Sequence, residues 1–127
     1  MICSEKISDA ELEVMKVLWA SGNPLSEREI IDILNQEINW HRATIQTLIR
    51  RLCEKGAVHK ERKDLFLYSA ILSEEEYARE RTANFLNKVY GGSARNLVSA
   101  MLSSDILSEK DVEELQNYWK ERKKKNE

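Results

Sequence analysis

The sequence predicts a mainly α-helical protein: an N-terminal winged helix-turn-helix of three helices and a small β-hairpin wing, then a three-helix C-terminal domain. Only four Gly and one Pro occur in 127 residues, a composition that favours helix. Patterns typical of helix starts recur along the chain at Ser8, Ser26, Ser73 and Ser108. After the third helical segment, residues 57–70 have the pattern of two short strands joined by a turn.

The first two helices begin at capping boxes. In the first box the Ser8 hydroxyl accepts a hydrogen bond from one free backbone N–H, and the Glu11 carboxylate accepts one from another. Residues 21–24, Ser-Gly-Asn-Pro, end this helix. Ser26 and Glu29 form the second box. Apolar residues follow at helical spacing in both helices, and the predicted buried stripe of the second is Ile30, Ile33 and Leu34.

The third helix is predicted from Arg42 to Lys55, with Gly56 as its C′ residue. One face carries apolar residues at i, i+3, i+4 and i+7. Residues 57–62 and 65–70 read as the two strands of the wing around a Lys63-Asp64 turn. The apolar face of the helix consists of Ile45, Leu48, Ile49 and Leu52.

The second half of the chain contains three further helical patterns, over residues 73–90, 93–103 and from 108 onwards, with residues 120–127 expected to be a fraying end. Three helices of this length bury too little apolar surface to be stable alone. Pairing with a second copy solves this problem, so residues 73–127 are predicted to form a helical dimerisation domain. Residues 1–72 are predicted to form a winged-helix DNA-binding domain, for which the charge pattern is the main reason. The predicted dimer contacts are Tyr77, Phe85, Leu86, Val89, Leu97, Met101, Leu102, Val112, Leu115 and Trp119.

Positive charge is concentrated in one stretch of a chain whose net charge is −2. Residues 40–63 hold seven Lys or Arg side chains and two acids. A localised basic patch on a neutral-to-acidic protein is the electrostatic pattern of a DNA-binding face. The seven cations are Arg42, Arg50, Arg51, Lys55, Lys60, Arg62 and Lys63.

The third helix is therefore predicted to lie in the major groove of double-stranded DNA. Gln46 can hydrogen-bond adenine, Arg50 guanine or a phosphate, and the Thr47 methyl group and Ala43 can contact a thymine methyl. Phosphate contacts position such a protein, whereas base contacts specify the sequence. The predicted phosphate contacts are Arg42, Thr44 and Arg51 on the helix, and Lys60, Arg62 and Lys63 in the wing.

The sequence contains few patterns that indicate another class of function. No nucleophile motif, phosphate-binding Gly-rich loop or metal-ligand run is present, so neither an enzyme nor a cofactor or metal site is predicted. The N-terminus is too polar for a secretion signal and no apolar run is long enough to span a membrane, which favours a cytoplasmic protein. Two alternatives stay open: a winged-helix protein-interaction module that binds no DNA, and redox sensing through Cys53.

Four stretches of the chain, in the same order, resemble the penicillinase and methicillin-resistance repressor family, often called BlaI/MecI/CopY. They are ISDAELEVMKVLW, NWHRATIQTLIRRLCEKGAV, FLNKVYGGSARNLVSAM and LSEKDVEEL. The resemblance implies a bacterial homodimeric repressor that binds palindromic operators and blocks transcription of resistance or metal-homeostasis genes. Two departures stand out. His41 replaces the usual Ser or Thr cap of the third helix, and the C-terminal cysteine cluster of the copper-responsive members is missing.

The resemblance also implies how repression ends. In β-lactam-responsive members a membrane-bound sensor protease signals, and the repressor is cut after the Asn of an Asn-Phe pair in its dimerisation domain. The aligned pair here is Ala100-Met101, which makes Ala100 and Met101 the candidate cleavage position even though the Asn is replaced. The apolar periodicity alone favours a different interpretation, in which both are ordinary helix residues that pack against the partner subunit.

Overall fold

The computed structural model describes residues 6–125 and confirms a mainly helical protein with a small sheet. The chain divides into two compact units, and the division falls between Thr82 and Ala83. In chain order the elements are α1 (Asp9–Ser21), β1 (Leu25–Ser26), α2 (Glu27–Leu34), α3 (Arg42–Glu54), β2 (Val58–Arg62), β3 (Phe66–Ala70), α4 (Glu74–Tyr90), α5 (Ala94–Ser103) and α6 (Glu109–Lys125).

Both predicted capping boxes form. At the start of α1 the backbone N–H of Ser8 donates to Glu11 Oε1 at 2.8 Å, and the N–H of Glu11 donates to Ser8 Oγ at 3.1 Å. Ser26 and Glu29 make the same pair of bonds before α2, at 3.0 and 3.2 Å. Each box satisfies two N–H groups that the helix itself leaves unpaired, so these two residue pairs fix where the helices begin.

The sheet has three antiparallel strands in the order β1-β3-β2. The two wing strands were predicted, but β1 was not. It contains only two residues, and it pairs Leu25 with Tyr68 and Ser26 with Leu67. Two residues are too few to show the alternation by which a strand is identified in a sequence. Because β1 leads directly into α2, this pairing ties the wing to the helical part of the first unit.

The core of the first unit lies between α1, α2, α3 and the sheet. Met15 from α1, Ile30 from α2 and Leu52 from α3 are each 0% exposed. The predicted stripe of α2 needs one correction: Ile33 is 41% exposed, whereas Ile31 is buried. Both residues are apolar and lie two positions apart in the same helix, so they point in different directions. The packing of α1 and α3, rather than the pattern alone, decides which of them is buried.

The start of α4 belongs to the first unit. The Trp19 indole N–H donates to the carbonyl oxygen of Leu72 at 2.9 Å. The Tyr77 ring lies against Trp19, with 5.6 Å between ring centroids, and packs on the core. The compact first unit therefore extends beyond residue 72, the limit predicted for the N-terminal domain, and Tyr77 packs within it.

The second unit consists of the end of α4 together with α5 and α6, and none of the described residues in it is buried. Gly91 and Gly92 join α4 to α5 with φ angles of +58° and +85°, which glycine adopts without strain. Ser108 and Asp111 cap α6 through two reciprocal bonds of 3.0 Å. Contrary to the predicted fraying end, α6 continues through Lys120 to Lys125, because Lys and Arg favour the last turn of a helix.

Candidate nucleic-acid interface

The two faces of α3 differ sharply in exposure. Its predicted apolar residues are all buried, with Ile45 and Leu52 at 0%, and they hold the helix against the core. The remaining face carries every α3 residue that the sequence predicts to contact DNA. Arg42, Ala43, Thr44, Arg50 and Arg51 are exposed, and Gln46 and Thr47 are half-buried. The structure thus places one continuous, mainly basic helix surface in contact with solvent.

The N-terminus of α3 has no side-chain cap. His41 occupies the N-cap position with extended backbone, but its side chain makes no capping hydrogen bond, as expected of a weaker cap. The first turn contains no acidic residue and begins with the exposed Arg42. Helix N-termini carry partial positive charge and unpaired N–H donors. This end of α3 is therefore electropositive and suited to an anion.

Thr47 and Arg50 already have partners within the helix. The Thr47 hydroxyl donates a hydrogen bond to the carbonyl oxygen of Ala43 at 3.0 Å. The hydroxyl oxygen can still accept a hydrogen bond from a ligand, and the methyl group can still make apolar contacts. Arg50 Nε lies 3.8 Å from Glu54 Oε1, and both side chains are 67% exposed. An exposed ion pair of this kind contributes about 0–1 kcal/mol. Arg50 can therefore exchange Glu54 for a phosphate or a base at small cost.

The wing presents two of its three predicted cations on one face. Lys60 and Arg62 are two residues apart on β2, so their side chains share a face of the hairpin. Both lie against the ring of Phe66: Lys60 Nζ is 4.0 Å from the ring centroid and Arg62 Cζ is 5.1 Å from it. Lys63 follows in the turn, where its N–H donates to the carbonyl oxygen of Leu65 at 3.0 Å.

Lys55 is the one cation of the basic stretch that points inward. Its Nζ lies 2.6 Å from Glu11 Oε1 and also donates to the carbonyl oxygen of Lys6. The Glu11 side chain is 2% exposed. Burial raises the pKa of Glu11, but hydrogen bonds from Lys55 and Ser8 and the charge of Lys55 outweigh it, so the pKa is lowered from 4.5. Lys55 therefore fastens the end of α3 to the start of α1.

Cys53 offers a poor basis for redox sensing. Its side chain is half-buried beside the apolar face of α3, and burial raises the pKa of the thiol. The nearby charge of Lys60 lowers it, without reversing the direction. Because the thiolate is the reactive form, a raised pKa reduces the reactive fraction at neutral pH. Packing explains this residue better than reactivity does.

Two residues near the interface, Arg28 and Phe66, were not identified from the sequence. Arg28 on α2 and Arg42 on α3 line the same shallow cavity, of about 360 Å³, together with Ile31 and Asp32. Phe66 lies between the two wing cations. Arg28 lies outside residues 40–63, the basic stretch of the sequence. A single Phe in a short strand is typical of a buried core residue. Only the folded arrangement brings these two residues to the basic surface.

In the second unit, most residues predicted to mediate dimerisation are exposed or half-buried apolar side chains. Leu86, Leu97, Met101 and Val112 are half-buried. Phe85, Val89, Leu102, Leu115 and Trp119 are between 45% and 64% exposed. The exposed apolar side chains of this unit also include Val98, Ile106 and Tyr118.

The Ala100-Met101 pair lies inside α5. Both side chains are half-buried, and both carbonyl groups accept hydrogen bonds. Ser104 donates to the Ala100 oxygen from its N–H at 3.1 Å and from its hydroxyl at 2.7 Å. The N–H of Ile106 donates to the Met101 oxygen at 3.1 Å. The candidate cleavage bond is therefore part of a hydrogen-bonded helix.

Across residues 6–125, no cluster of three or more His, Cys, Asp or Glu side chains is arranged to hold a metal ion. Within the same range, no helix is both long and apolar enough to cross a membrane.

A helix with one buried and one exposed basic face, followed directly by a basic hairpin, defines a winged-helix protein of the DNA-binding type. The chain belongs to the penicillinase repressor family, whose sequence model matches residues 7–121.

The relatives and solved structures agree with this assignment. The penicillinase repressor of Bacillus licheniformis is 38% identical over 120 residues, covering 93% of this chain and 92% of the relative. The methicillin resistance regulatory protein MecI of Mammaliicoccus sciuri is 34% identical over 113 residues, covering 88% and 91%.

Two solution structures have similar folds. The DNA-binding domain of the repressor BlaI matches with a TM-score of 0.53 and 38% identity, covering 61% of this chain and 94% of that one. Monomeric Bacillus licheniformis BlaI in complex with the blaP half-operator matches with a TM-score of 0.51 and 40% identity, covering 57% and 88%.

Proposed function

We propose that this protein is a homodimeric transcriptional repressor that binds a palindromic operator, with α3 of each subunit in the major groove of one half-site. The observation that carries the proposal is the exposed basic face of α3 beside the basic wing, within one compact unit. A relative that is 40% identical over the matched region was solved on a half-operator. The protein acts as a binding protein rather than an enzyme, in the cytoplasm where its DNA is.

The solvent-facing residues of α3 divide by their chemistry and by their position on the helix surface. Ala43, Gln46, Thr47 and Arg50 form the reading face, because amide, guanidinium and methyl groups are the groups that distinguish base edges. Arg42, Thr44 and Arg51 contact phosphates on either side. Lys60, Arg62 and Lys63 contact the backbone next to the groove, and Arg28 shares the phosphate nearest Arg42. Phosphate contacts of this kind set the register of the reading face.

The Arg50→Ala/Arg51→Ala variant tests the assignment of α3. In a gel-shift titration on a duplex from upstream of the protein's own gene, we expect binding to fall by at least about 100-fold. The base contact of Arg50 is worth about 1–3 kcal/mol in each half-site, and the variant also loses the phosphate contact of Arg51. The matched control removes two exposed cations elsewhere in the first unit, Lys16→Ala/Arg79→Ala, and should bind as the unchanged protein does. Equal affinity of the two double variants would refute the reading helix.

Salt dependence separates this function from its main alternative, a winged-helix module that binds only proteins. A repressor that neutralises several phosphates loses affinity steeply as salt rises, because each contact releases counterions. The affinity of the unchanged protein is measured between 50 and 200 mM salt, where six to ten contacts predict a loss of about 10³ to 10⁵. Indifference to DNA even at the lowest salt would favour the protein-interaction module.

Dimerisation is proposed to occur through the second unit. Several of its apolar side chains, among them Val89, Leu115 and Trp119, are more than half exposed, and large exposed apolar surface marks interaction sites. A two-fold dimer places its reading helices about one DNA turn, or a multiple of it, apart. Scrambling one half-site of a footprinted operator should therefore weaken binding, but by less than Arg50→Ala/Arg51→Ala does, because the variant removes contacts at both half-sites.

The target is proposed to be a resistance or stress-response operon, with induction by a sensor protease that leads to cleavage after Ala100. Because this bond lies in a hydrogen-bonded helix, cleavage requires α5 to open locally. Footprinting with extract from β-lactam-treated cells tests this: loss of the footprint should accompany a fragment that ends at Ala100. Loss of the footprint with an intact chain would instead mean that simple dissociation ends repression.

A further inference from the structure

Phe66 is an aromatic residue on the surface of the wing whose position calls for an explanation. Its side chain is 39% exposed, although burial of an aromatic ring is among the larger apolar contributions to folding. Two cations lie against it: Lys60 Nζ at 4.0 Å and Arg62 Cζ at 5.1 Å from the ring centroid. Among residues 6–125, no other aromatic ring has two cations within 5.1 Å of its centroid.

The strand register creates this arrangement. Arg62 and Phe66 are direct cross-strand partners on β2 and β3, and Lys60 pairs with Tyr68. Side chains two residues apart share a face of a strand, and diagonal neighbours across a pair are within reach of long side chains. Lys60, Arg62 and Phe66 therefore occupy one face, while Glu61, the acid between the two cations, points to the other.

The ring has an electrostatic consequence for its neighbours. Two cations on one strand face repel each other, and their long side chains would otherwise sample many rotamers. An aromatic face attracts ammonium and guanidinium groups through its quadrupole, most often within about 6 Å of the centroid. Contact with Phe66 offsets the repulsion and limits the rotamers of both side chains before any ligand binds. Side chains ordered in advance lose less entropy on binding.

We propose that Phe66 is a positioning residue that holds the Lys60 ammonium and the Arg62 guanidinium ready to contact DNA phosphates. This inference rests on the proposed function, since it concerns the phosphate contacts of the wing. Phe66 itself reads no base and contacts no phosphate. It increases affinity only through the two cations, so removing them removes its effect.

A double-mutant cycle measures this dependence directly. The four proteins are the unchanged chain, Phe66→Leu, Lys60→Gln/Arg62→Gln, and the triple variant, each titrated onto the footprinted duplex from upstream of the protein's own gene. With both cations present, Phe66→Leu should weaken binding by up to about five- to thirtyfold, the range that two exposed cation–π contacts supply. In the variant without the cations, the same substitution should change the affinity by less than about twofold.

Three further measurements sharpen the result. Phe66→Trp should bind as well as the unchanged protein, because Trp is the strongest cation–π partner. Leu65→Ala removes an exposed apolar side chain of the same hairpin and should not alter affinity. Thermal melts of every variant identify any loss of folded protein. An equal loss from Phe66→Leu with and without the cations would overturn the proposal, as would a loss from Phe66→Trp as large as that from Phe66→Leu.

The outcome also distinguishes this inference from the proposed function. Lys60→Gln/Arg62→Gln should reduce the slope of log affinity against log salt by about two, one for each lost phosphate contact. If that slope and the affinity stay unchanged, the wing contacts no phosphate, and the wing part of the proposed function fails together with this inference. If the slope falls but the cycle is additive, only the role of Phe66 is refuted.

Discussion

The two compact units of this protein differ in how far their apolar side chains are buried. Every buried apolar side chain of the described residues lies between Ile7 and Leu72, in the first unit. In the second unit α5 and α6 bury no residue at all, and Trp119 is 64% exposed. The helices of both units show comparable apolar patterns in the sequence. Similar amphipathic patterns have therefore produced a closed core in one unit and an open apolar surface in the other.

The difference follows from what each unit has available to cover its apolar faces. The first unit has three helices and a sheet, which enclose Met15, Ile30 and Leu52 on all sides. The second has only three helical segments, and small units of this kind bury too little surface for independent stability. The first unit therefore covers its own apolar faces, and the proposed dimer would supply the missing cover for the second. On that proposal, dimerisation is part of the folding of the second unit.

The largest expected effect comes from the closed core. Leu52→Ala removes a fully buried side chain of α3 and should lower the free energy of unfolding by about 2–5 kcal/mol, because a cavity remains where the side chain was. Urea denaturation followed by circular dichroism measures the change. The comparison predicts that this loss is independent of protein concentration. A loss that shrinks as the concentration rises would mean that the first unit also needs the partner.

A somewhat smaller effect is expected from Lys55→Met, which leaves the buried Glu11 carboxylate without its cation. Glu11 Oε2 is already buried without a hydrogen-bond partner in the described part of the chain. Removing one member of a buried pair costs about 3–5 kcal/mol, and the partial exposure of Lys55 reduces this to about 2 kcal/mol. The matched control is Lys16→Met, which breaks the exposed pair with Glu13 and should cost less than about 0.5 kcal/mol.

The pH dependence of the same pair has a defined sign. The pKa of Glu11 is lowered in the folded protein relative to 4.5, so the ionised carboxylate contributes stability that is fully present above that value. This contribution is lost as the pH falls through the folded-state pKa. The difference between Lys55→Met and the unchanged protein in urea denaturation should therefore shrink on acidification. A difference that stays constant down to pH 3 would contradict the ion pair.

Trp119→Ala tests the open surface of the second unit. We expect the dimer dissociation constant to rise by about 30-fold, which corresponds to about 2 kcal/mol, because buried aromatic residues are common hot spots of interfaces. Sedimentation equilibrium measures the constant. Lys120→Ala changes the neighbouring exposed residue of α6 and serves as the control. An unchanged constant for Trp119→Ala, or a monomer at all concentrations for the unchanged protein, would remove the basis of the comparison.

The smallest effects come from the helix caps, which have the same chemistry in both units. Ser26→Ala and Ser108→Ala each remove the acceptor of an N-cap bond and should lower stability by about 1 kcal/mol. Thermal melts at two protein concentrations, about tenfold apart, separate the units. The transition that Ser26→Ala lowers should have the same midpoint at both concentrations, whereas the transition that Ser108→Ala lowers should have a higher midpoint at the higher concentration, where the dimer is favoured.

Much of the first unit was predictable from local patterns. The boxes at Ser8 and Ser26 and the apolar face of α3 depend on residues three or four positions apart, and all of them form as expected. The exposed basic face of α3 followed from the same periodicity. What the sequence did not reveal depends on distant pairs. Strand β1 exists only because Leu25 meets Tyr68, and the choice between Ile31 and Ile33 depends on the packing of other helices.

The charge of the basic stretch shows the same limit. Counting residues gave seven cations, but Lys55 turns inward to Glu11, 44 residues earlier in the chain, and does not add to the exposed surface. Conversely, Arg28 joins that surface from α2, and the Phe66 ring on β3 lies against two of its cations. Tyr77 of α4 likewise packs on Trp19 of α1.

The sequence by itself determined the helices, their starting points and the face of α3 that meets solvent, because hydrogen bonds and side-chain periodicity within a helix act over a few residues. Only the tertiary structure decided which cations face outward, which residues join them and which unit keeps an open apolar surface. Those outcomes depend on contacts between residues far apart in the chain, and one-dimensional patterns do not record which distant residues meet.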